Sequence, residues 1–342
     1  MKAATISKAA YLDGKQFAYS VTYDEALEDL YRETIPIHQE FGIPGHLSVV
    51  VGQMGQLRDL PGSSFHGMRH MDQGQLREMI SLGWTVGSHS WSHGSMYENT
   101  EQEVVHSREV LEQALGVPVT AFIVPGDNNN HPPVVPVARK HGYLSVYTVT
   151  DGINSHESDL YALNRSFMNE EGFAPIFHQY DPYQWLHWAR ERGGWIVEYT
   201  HRATEEFLSR QKEISVTSLR RRFERVKQVG GEGVWLAVPE AVVDYLLVHR
   251  HTALCCPQAG PEAVRCTLSV RALPERVQRR QLTLVASFPD QISHPQVQAG
   301  DQPVSLVAAG ERQVVFTVAV QDGLVVEVNC RGTKPIRPPF AG

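Results

Sequence analysis

Between residues 17 and 249 short apolar runs alternate with longer stretches of helical composition, and that alternation constrains the fold more than any other feature. Residues 17–22 (FAYSVT) and 46–51 (HLSVVV) read as strands, and between them Thr34 and Pro36 suit a helix start and Gly42 its end. The same grammar returns with helices near 74–82, 101–115, 133–141, 183–192, 217–228 and 240–249, and strands at 84–87, 119–124, 144–149, 195–199 and 234–237. Strands joined through helices run parallel. Roughly seven such units in one chain favour a closed or nearly closed barrel. Beyond His251 the helices stop, and VRCTLSV, QLTLVASF, RQVVFTVAV and LVVEVN are short segments separated by Gly, Pro and Asp turns, as in a small β-sandwich. The organisation expected is an α/β domain over 1–250 and an all-β accessory domain over 251–342, with a linker near 250–260.

The chain carries 31 Lys and Arg against 38 Asp and Glu, a formal charge of −7, and its one dense basic run is Arg220-Arg221-Arg222. A nucleic-acid binder would show a basic stripe, so no nucleic-acid partner is expected and the triplet reads as a helix face. No stretch approaches the ~18 consecutive apolar residues of a membrane span. Met1 and Lys2 are followed by Ser7 and Lys8 where a signal peptide would place its apolar region, so the expected location is cytoplasmic, or secreted or periplasmic for a chain that has lost a leader.

Cys255, Cys256, Cys266 and Cys330 lack the CxxC spacing of a zinc ribbon. They read as buried small hydrophobes, with Cys266 and Cys330 the pair that an oxidising compartment would join. Histidine says more: of 16, all but His294 lie at or before His251, which places any metal or acid–base chemistry in the first three quarters. His89 and His93, in HSWSH after the strand WTVGS, would present two nitrogens on one side of a helical turn, or else form a surface or capping pair. Asp24 and Glu25 follow the first strand, and barrel active sites gather at such C-terminal ends. The alternative for these carboxylates is a helix N-terminus, which would need only one of them.

These residues together resemble the polysaccharide deacetylases with the NodB-homology fold, carbohydrate esterase family 4. Thr22-Tyr23-Asp24-Glu25-Ala26 stands where that family has Thr/Ser-Phe-Asp-Asp-Gly, and LREMISLGWTVGSHSWSH resembles its helix leading to Gly-x-x-x-Gly-x-His-Ser/Thr-x-x-His. SREVLEQALGVPVTAFIVPGDNNN is similar to the helix and Pro-centred third motif, and GGWIVEYTH to the strand that ends in the last-motif histidine, here His201. The likeness runs over about 10–250 and implies a distorted (β/α)7-type barrel for that domain. It departs at Glu25, where the family has a second aspartate, and at Ile123-Val124-Pro125-Gly126, which lacks the arginine and aromatic of Arg-x-Pro-aromatic.

The resemblance implies a metal-dependent deacetylase acting on an acetylated sugar or polysaccharide, with a divalent cation, Zn²⁺ by donor type, on Glu25, His89 and His93. Asp24 would be the general base and His201 the acid. Further candidates are Gly126 at the oxyanion, Asp151 as partner of the acid, and Arg165 in place of the missing arginine. His178 competes with His201, and Phe177, Tyr180, Tyr183, Trp185 and Trp188 read as core or as a sugar subsite. The rival readings are a related amide hydrolase, such as a deformylase or small acetyl-sugar deacetylase, and a carbohydrate-binding protein of weak activity. Substrate length, N- or O-acetyl choice and oligomeric state are not expressed in the sequence.

Overall fold

The computed structural model describes residues 2–59, 61–168 and 181–332. His178, Phe177 and Tyr180 lie outside the described residues. The chain divides into two compact units, Gln16–Val243 and Met1–Lys15 together with Asp244–Gly342. Where the sequence suggests 1–250 and 251–342, the first fifteen residues group with the C-terminal strands, because β1 (Thr5–Lys8) pairs antiparallel with a strand there.

The larger unit runs β2 (Phe17–Asp24), α1 (Thr34–Phe41), β3 (Gly45–Val49), α2 (Gln73–Ser81), β4 (Thr85–Ser88), α3 (Ser107–Leu115), β5 (Ala121–Ile123), α4 (His131–Lys140) and β6 (Ser145–Tyr147). It continues through β7 (Ser166–Phe167), α5 (Gln184–Arg192), β8 (Trp195–Thr200), α6 (Val216–Gly230) and β9 (Val234–Leu236) to the start of α7 (Pro239–His251). The strands are parallel in the order β6-β5-β4-β3-β2-β8-β7. Closure comes from the chain before β7: Leu163 N–H donates to Val146 O (3.0 Å) and Thr148 N–H to Leu163 O (2.9 Å), after which Ser166 and Phe167 pair with β8. β9 pairs with Phe17–Tyr19, on the edge of β2 that β3 occupies only from Val21 onward. The unit is the distorted α/β barrel expected.

All eight residues of β2 are buried, as a strand covered on both faces requires. Its odd positions, Phe17, Tyr19, Val21 and Tyr23, join the apolar core, and Tyr23 Oη meets His38 Nε2 of α1 at 2.6 Å. Its even positions face the barrel interior: Ser20 accepts from Trp195 Nε1 (3.0 Å), while Thr22 and Asp24 accept from Arg165. Strand period two therefore sends Asp24 inward. α2 is fixed at its start by a capping box between Asp72 and Gln75, and α1 ends at Gly42 in the left-handed conformation (φ 62°).

The other unit is the expected all-β element, two antiparallel sheets built from β10 (Thr252–Ala259), β11 (Ala263–Val270), β12 (Gln281–Ser287), β13 (Ile292–Ala299), β14 (Gln302–Pro303), β15 (Leu306–Ala309), β16 (Gln313–Ala319) and β17 (Val325–Gly332). One sheet is β1-β12-β16-β15 and the other β10-β11-β17-β13-β14. Alternate residues such as Val264, Cys266 and Leu268 are buried, as are Leu282, Leu284 and Ala286. Cys266 and Cys330 do sit as buried small residues, but they are not neighbours: Cys266 faces Val326, four positions along β17 from Cys330. The neighbour of Cys266 is Cys256, with their sulfurs 2.7 Å apart.

Glu240, in the first turn of α7, accepts from Thr85 Oγ1 (2.5 Å) and faces His46 Nδ1 at 2.9 Å. Burial acts to raise its carboxyl, but the His46 imidazole and the Thr85 hydroxyl outweigh burial and hold it below its ordinary value of 4.5. A depressed folded-state value makes the carboxylate stabilising above the ordinary value, and that contribution is lost as pH falls through the lowered one. Glu240→Gln should therefore lower the urea midpoint near about pH 7 and converge on wild type toward about pH 3. A gap independent of pH would remove this role.

Candidate active site

Four strand ends supply the site. Asp24 is the last residue of β2, Glu25 follows it, His89 follows β4, Gly126 lies just past β5, and His201 follows β8. With His93, these residues line one cavity of about 190 Å³, together with Val124, Val149, Phe167, Tyr199, Gln211 and Lys212. Five chemically active side chains predicted from the sequence are thus brought together.

Glu25 and Ala26 leave β2 with φ of 73° and 49°. That left-handed turn is held from the loop before α2, where Met71 N–H donates to Ala26 O (2.9 Å) and His70 Nδ1–H to Glu25 O (2.6 Å). Its effect is to point two adjacent carboxylates at different partners. Asp24 accepts from both terminal nitrogens of Arg165, Nη1 to Oδ1 at 2.7 Å and Nη2 to Oδ2 at 3.1 Å. Arg165 Nε also donates to Thr148 O (3.1 Å), and the guanidinium lies 4.4 Å from the Tyr199 ring centroid. Glu25 instead forms a buried ion pair through Oε2 with Arg58 Nη1. Its other oxygen, Oε1, lies 3.9 Å from His93 Nε2 and 3.8 Å from His201 Nε2.

The His89–His93 segment is not the helical turn that the spacing suggests. Ser90 and His93 take φ of 70° and 63°, because hydroxyls fold the chain tightly: His93 N–H donates to Ser90 Oγ (2.9 Å), and Ser92 N–H and Oγ–H donate to Glu103 (2.9 and 2.6 Å). The imidazoles still converge, with ring centroids 4.8 Å apart. His89 Nδ1 donates to Ile123 O (2.9 Å), which leaves Nε2 as its unprotonated nitrogen. His201 repeats the device with Lys212 O at 3.0 Å.

Burial sets the electrostatics. It lowers His89 and His93 and brings His201 down to about 3, so all three rings are neutral near neutral pH. For Asp24 burial acts upward, yet Arg165 with the neighbouring histidines outweighs it and holds the carboxyl well below the usual range. For Glu25 burial prevails over the opposing Arg58 and pushes the carboxyl up to about 7.

The remaining expectations separate. Gly126 lines the cavity with φ 74°, and Arg165, although named from sequence only as a substitute arginine, pairs with Asp24. Asp151 is exposed and does not line the cavity, and the nitrogen of His201 it was to support meets Lys212 O. Asp127 closes an ordinary polar turn by accepting from Asn129 N–H (2.8 Å). Arg58, His70 and Lys212 were not anticipated: they sit in loops without periodicity, where no pattern marks a residue for the site.

A divalent cation would call on Glu25, His89 and His93. Their chemistry suits it, since one carboxylate and two neutral imidazoles, one of them oriented by a carbonyl, are ordinary zinc donors. As the side chains stand, no group of three or more His, Cys, Asp or Glu has metal-holding spacing among the described residues.

Residues 13–146 match the family model for polysaccharide deacetylase. The matched stretch is less than half of the chain. It contains Asp24, Glu25, His89, His93 and Gly126 and ends before Arg165 and His201. Among curated proteins the chain is similar to "Putative polysaccharide deacetylase YxkH" of Bacillus subtilis (strain 168), 22% identical over 149 residues, which are 42% of this chain and 49% of that protein. Among solved structures it is similar to IcaB from Ammonifex degensii (21% identity, TM-score 0.35, 43% of this chain and 65% of that one). It is also similar to the Streptococcus pyogenes deacetylase PplD in complex with acetate (21%, TM-score 0.37, 43% and 62%). The chain thus spans about half to two thirds of the length of these deacetylase relatives.

Breaking the buried Asp24–Arg165 pair from one side strands a charge, so Arg165→Gln should cost about 3–5 kcal/mol. Asp24→Asn combined with Arg165→Gln should recover part of that loss. Urea unfolding of the two single variants and the double variant gives the coupling, and additive losses would show that the pair is not coupled.

Proposed function

We propose that this chain is a metal-dependent hydrolase that removes acetyl groups from a carbohydrate. The observation that carries the reading is Asp24, paired with the buried Arg165, in one cavity with Glu25, His89, His93 and His201 at the C-terminal ends of barrel strands. The match of residues 13–146 to the polysaccharide deacetylase model supports the reaction class. At about 190 Å³ the cavity is smaller than the ~300–1,000 Å³ of pockets for drug-sized ligands, which favours a single acyl group and its attached ring over several sugars at once.

Glu25, His89 and His93 would hold the cation, which when bound supplies Lewis-acid activation of water and of the acyl oxygen. Asp24 takes the proton of the attacking water. Its depressed carboxyl is ionised throughout the neutral range, and Arg165 fixes its direction. The Gly126 backbone lines the cavity wall and would meet charge developing on the acyl oxygen. His201 delivers a proton to the departing amine or alcohol. Because burial keeps its ring neutral and Nδ1–H donates to Lys212 O, Nε2 would receive the proton that Asp24 has taken from water before it passes that proton to the leaving group.

Chelation should abolish acetate release from acetylated sugars, and Zn²⁺ should restore it; full activity of chelated protein would sink the metal reading. Asp24→Asn should retain metal and lose about 10²–10⁴ in kcat, whereas Glu25→Ala should lose metal. Metal content by mass spectrometry beside rates on one substrate separates the two. An empty site in Asp24→Asn with a loaded Glu25→Ala would exchange their roles.

A further inference from the structure

Arg58 comes from the loop between β3 and α2, is 2% exposed, and meets Glu25 on the oxygen turned away from the histidines. It is built in rather than resting there. Its Nε donates to Ser63 Oγ (3.0 Å), its backbone N–H to Met68 O (2.6 Å), and its carbonyl accepts from Gly67 N–H (2.9 Å). His70 N–H donates to Gln56 O (2.9 Å), and His70 also holds the Glu25 carbonyl, so the same loop fixes both the backbone and the side chain of Glu25.

The carboxylates of the site are then already paired, and its cations outnumber them. Asp24 faces Arg165 and Glu25 faces Arg58, while Lys212 lines the same cavity and adds a third cation. Neutral imidazoles bring no negative charge to this set. A divalent cation beside Glu25 would meet a fixed guanidinium across one carboxylate, in surroundings that screen little.

We propose that Arg58 is a resident counter-cation of Glu25 that competes with a divalent metal for this carboxylate, so that the wild-type site binds metal weakly and loss of the Arg58 charge tightens it. The inference rests on the metal reading given above. A supporting residue that merely orients Glu25 has the opposite signature, since removing such a partner weakens metal binding by about 10–100-fold.

Zn²⁺ affinity, measured by calorimetry on the full chain, distinguishes these roles. Arg58→Met and Arg58→Gln should each bind Zn²⁺ at least about tenfold more tightly than wild type, because both remove the charge. Arg58→Lys, which keeps it, should stay near wild type. Circular dichroism checks folding, and Arg58→Gln decides the matter if the methionine variant does not fold. His89→Ala should abolish the binding in every background, which ties the heat to this site. Equal or weaker affinity in Arg58→Gln, with binding still dependent on His89, overturns the competitor role and leaves the metal reading standing. No His89-dependent binding in wild type, Arg58→Met or Arg58→Gln overturns both.

Discussion

A guanidinium inside a barrel needs partners on every side, and Arg165 finds them on three strands. It pairs with Asp24 and Thr22 of β2, donates to the carbonyl of Thr148 just past β6, and lies against Tyr199 of β8. Charged side chains removed from water are retained only when paired and hydrogen-bonded, so each contact constrains the others. The segment carrying Arg165 is also the one that closes the barrel between β6 and β8. Closure of the barrel and orientation of Asp24 therefore depend on one segment of the chain.

The barrel was legible because alternation of strand and helix is a long-range pattern carried by many residues. Individual errors cancel: the 102–106 stretch is a π-helical turn leading into α3, yet the unit order is unaffected. Asp24, Glu25, His89, His93 and His201 were legible for a different reason, since strand ends and motif order put them at one end of the barrel. Arg58 and His70 were not, because what places them is a hydrogen-bonded loop whose two limbs, around 56–58 and 68–70, meet only in three dimensions. Asp151 illustrates the converse error. An acid near the right point of the sequence was taken for a partner that a backbone carbonyl supplies.

Left-handed backbone marks the same region. Glu25, Ala26, Ser90 and His93 all have positive φ, a conformation costly for residues with a β-carbon and sustained only when surroundings over-determine it. The resembling family has glycine where this chain has Ala26, which accords with the φ of 49° there. Here the loop before α2 and the hydroxyls of Ser88, Ser90 and Ser92 hold the two turns.

The turn at Glu25 also explains how two neighbouring carboxylates can differ so far in character. Asp24 keeps strand geometry and follows Ser20 and Thr22 into the interior, where a bidentate guanidinium keeps it ionised. Glu25 has left the strand, and its side chain reaches the loop cation with one oxygen while the other faces His93 and His201. Arg165 outweighs burial at Asp24 whereas burial outweighs Arg58 at Glu25, so the two groups move in opposite directions from ordinary values that are nearly equal. That separation gives two adjacent carboxylates distinct acid–base character within one cavity. A regular continuation of β2 would place consecutive side chains on opposite faces of the sheet, and the cavity would then lose one of them.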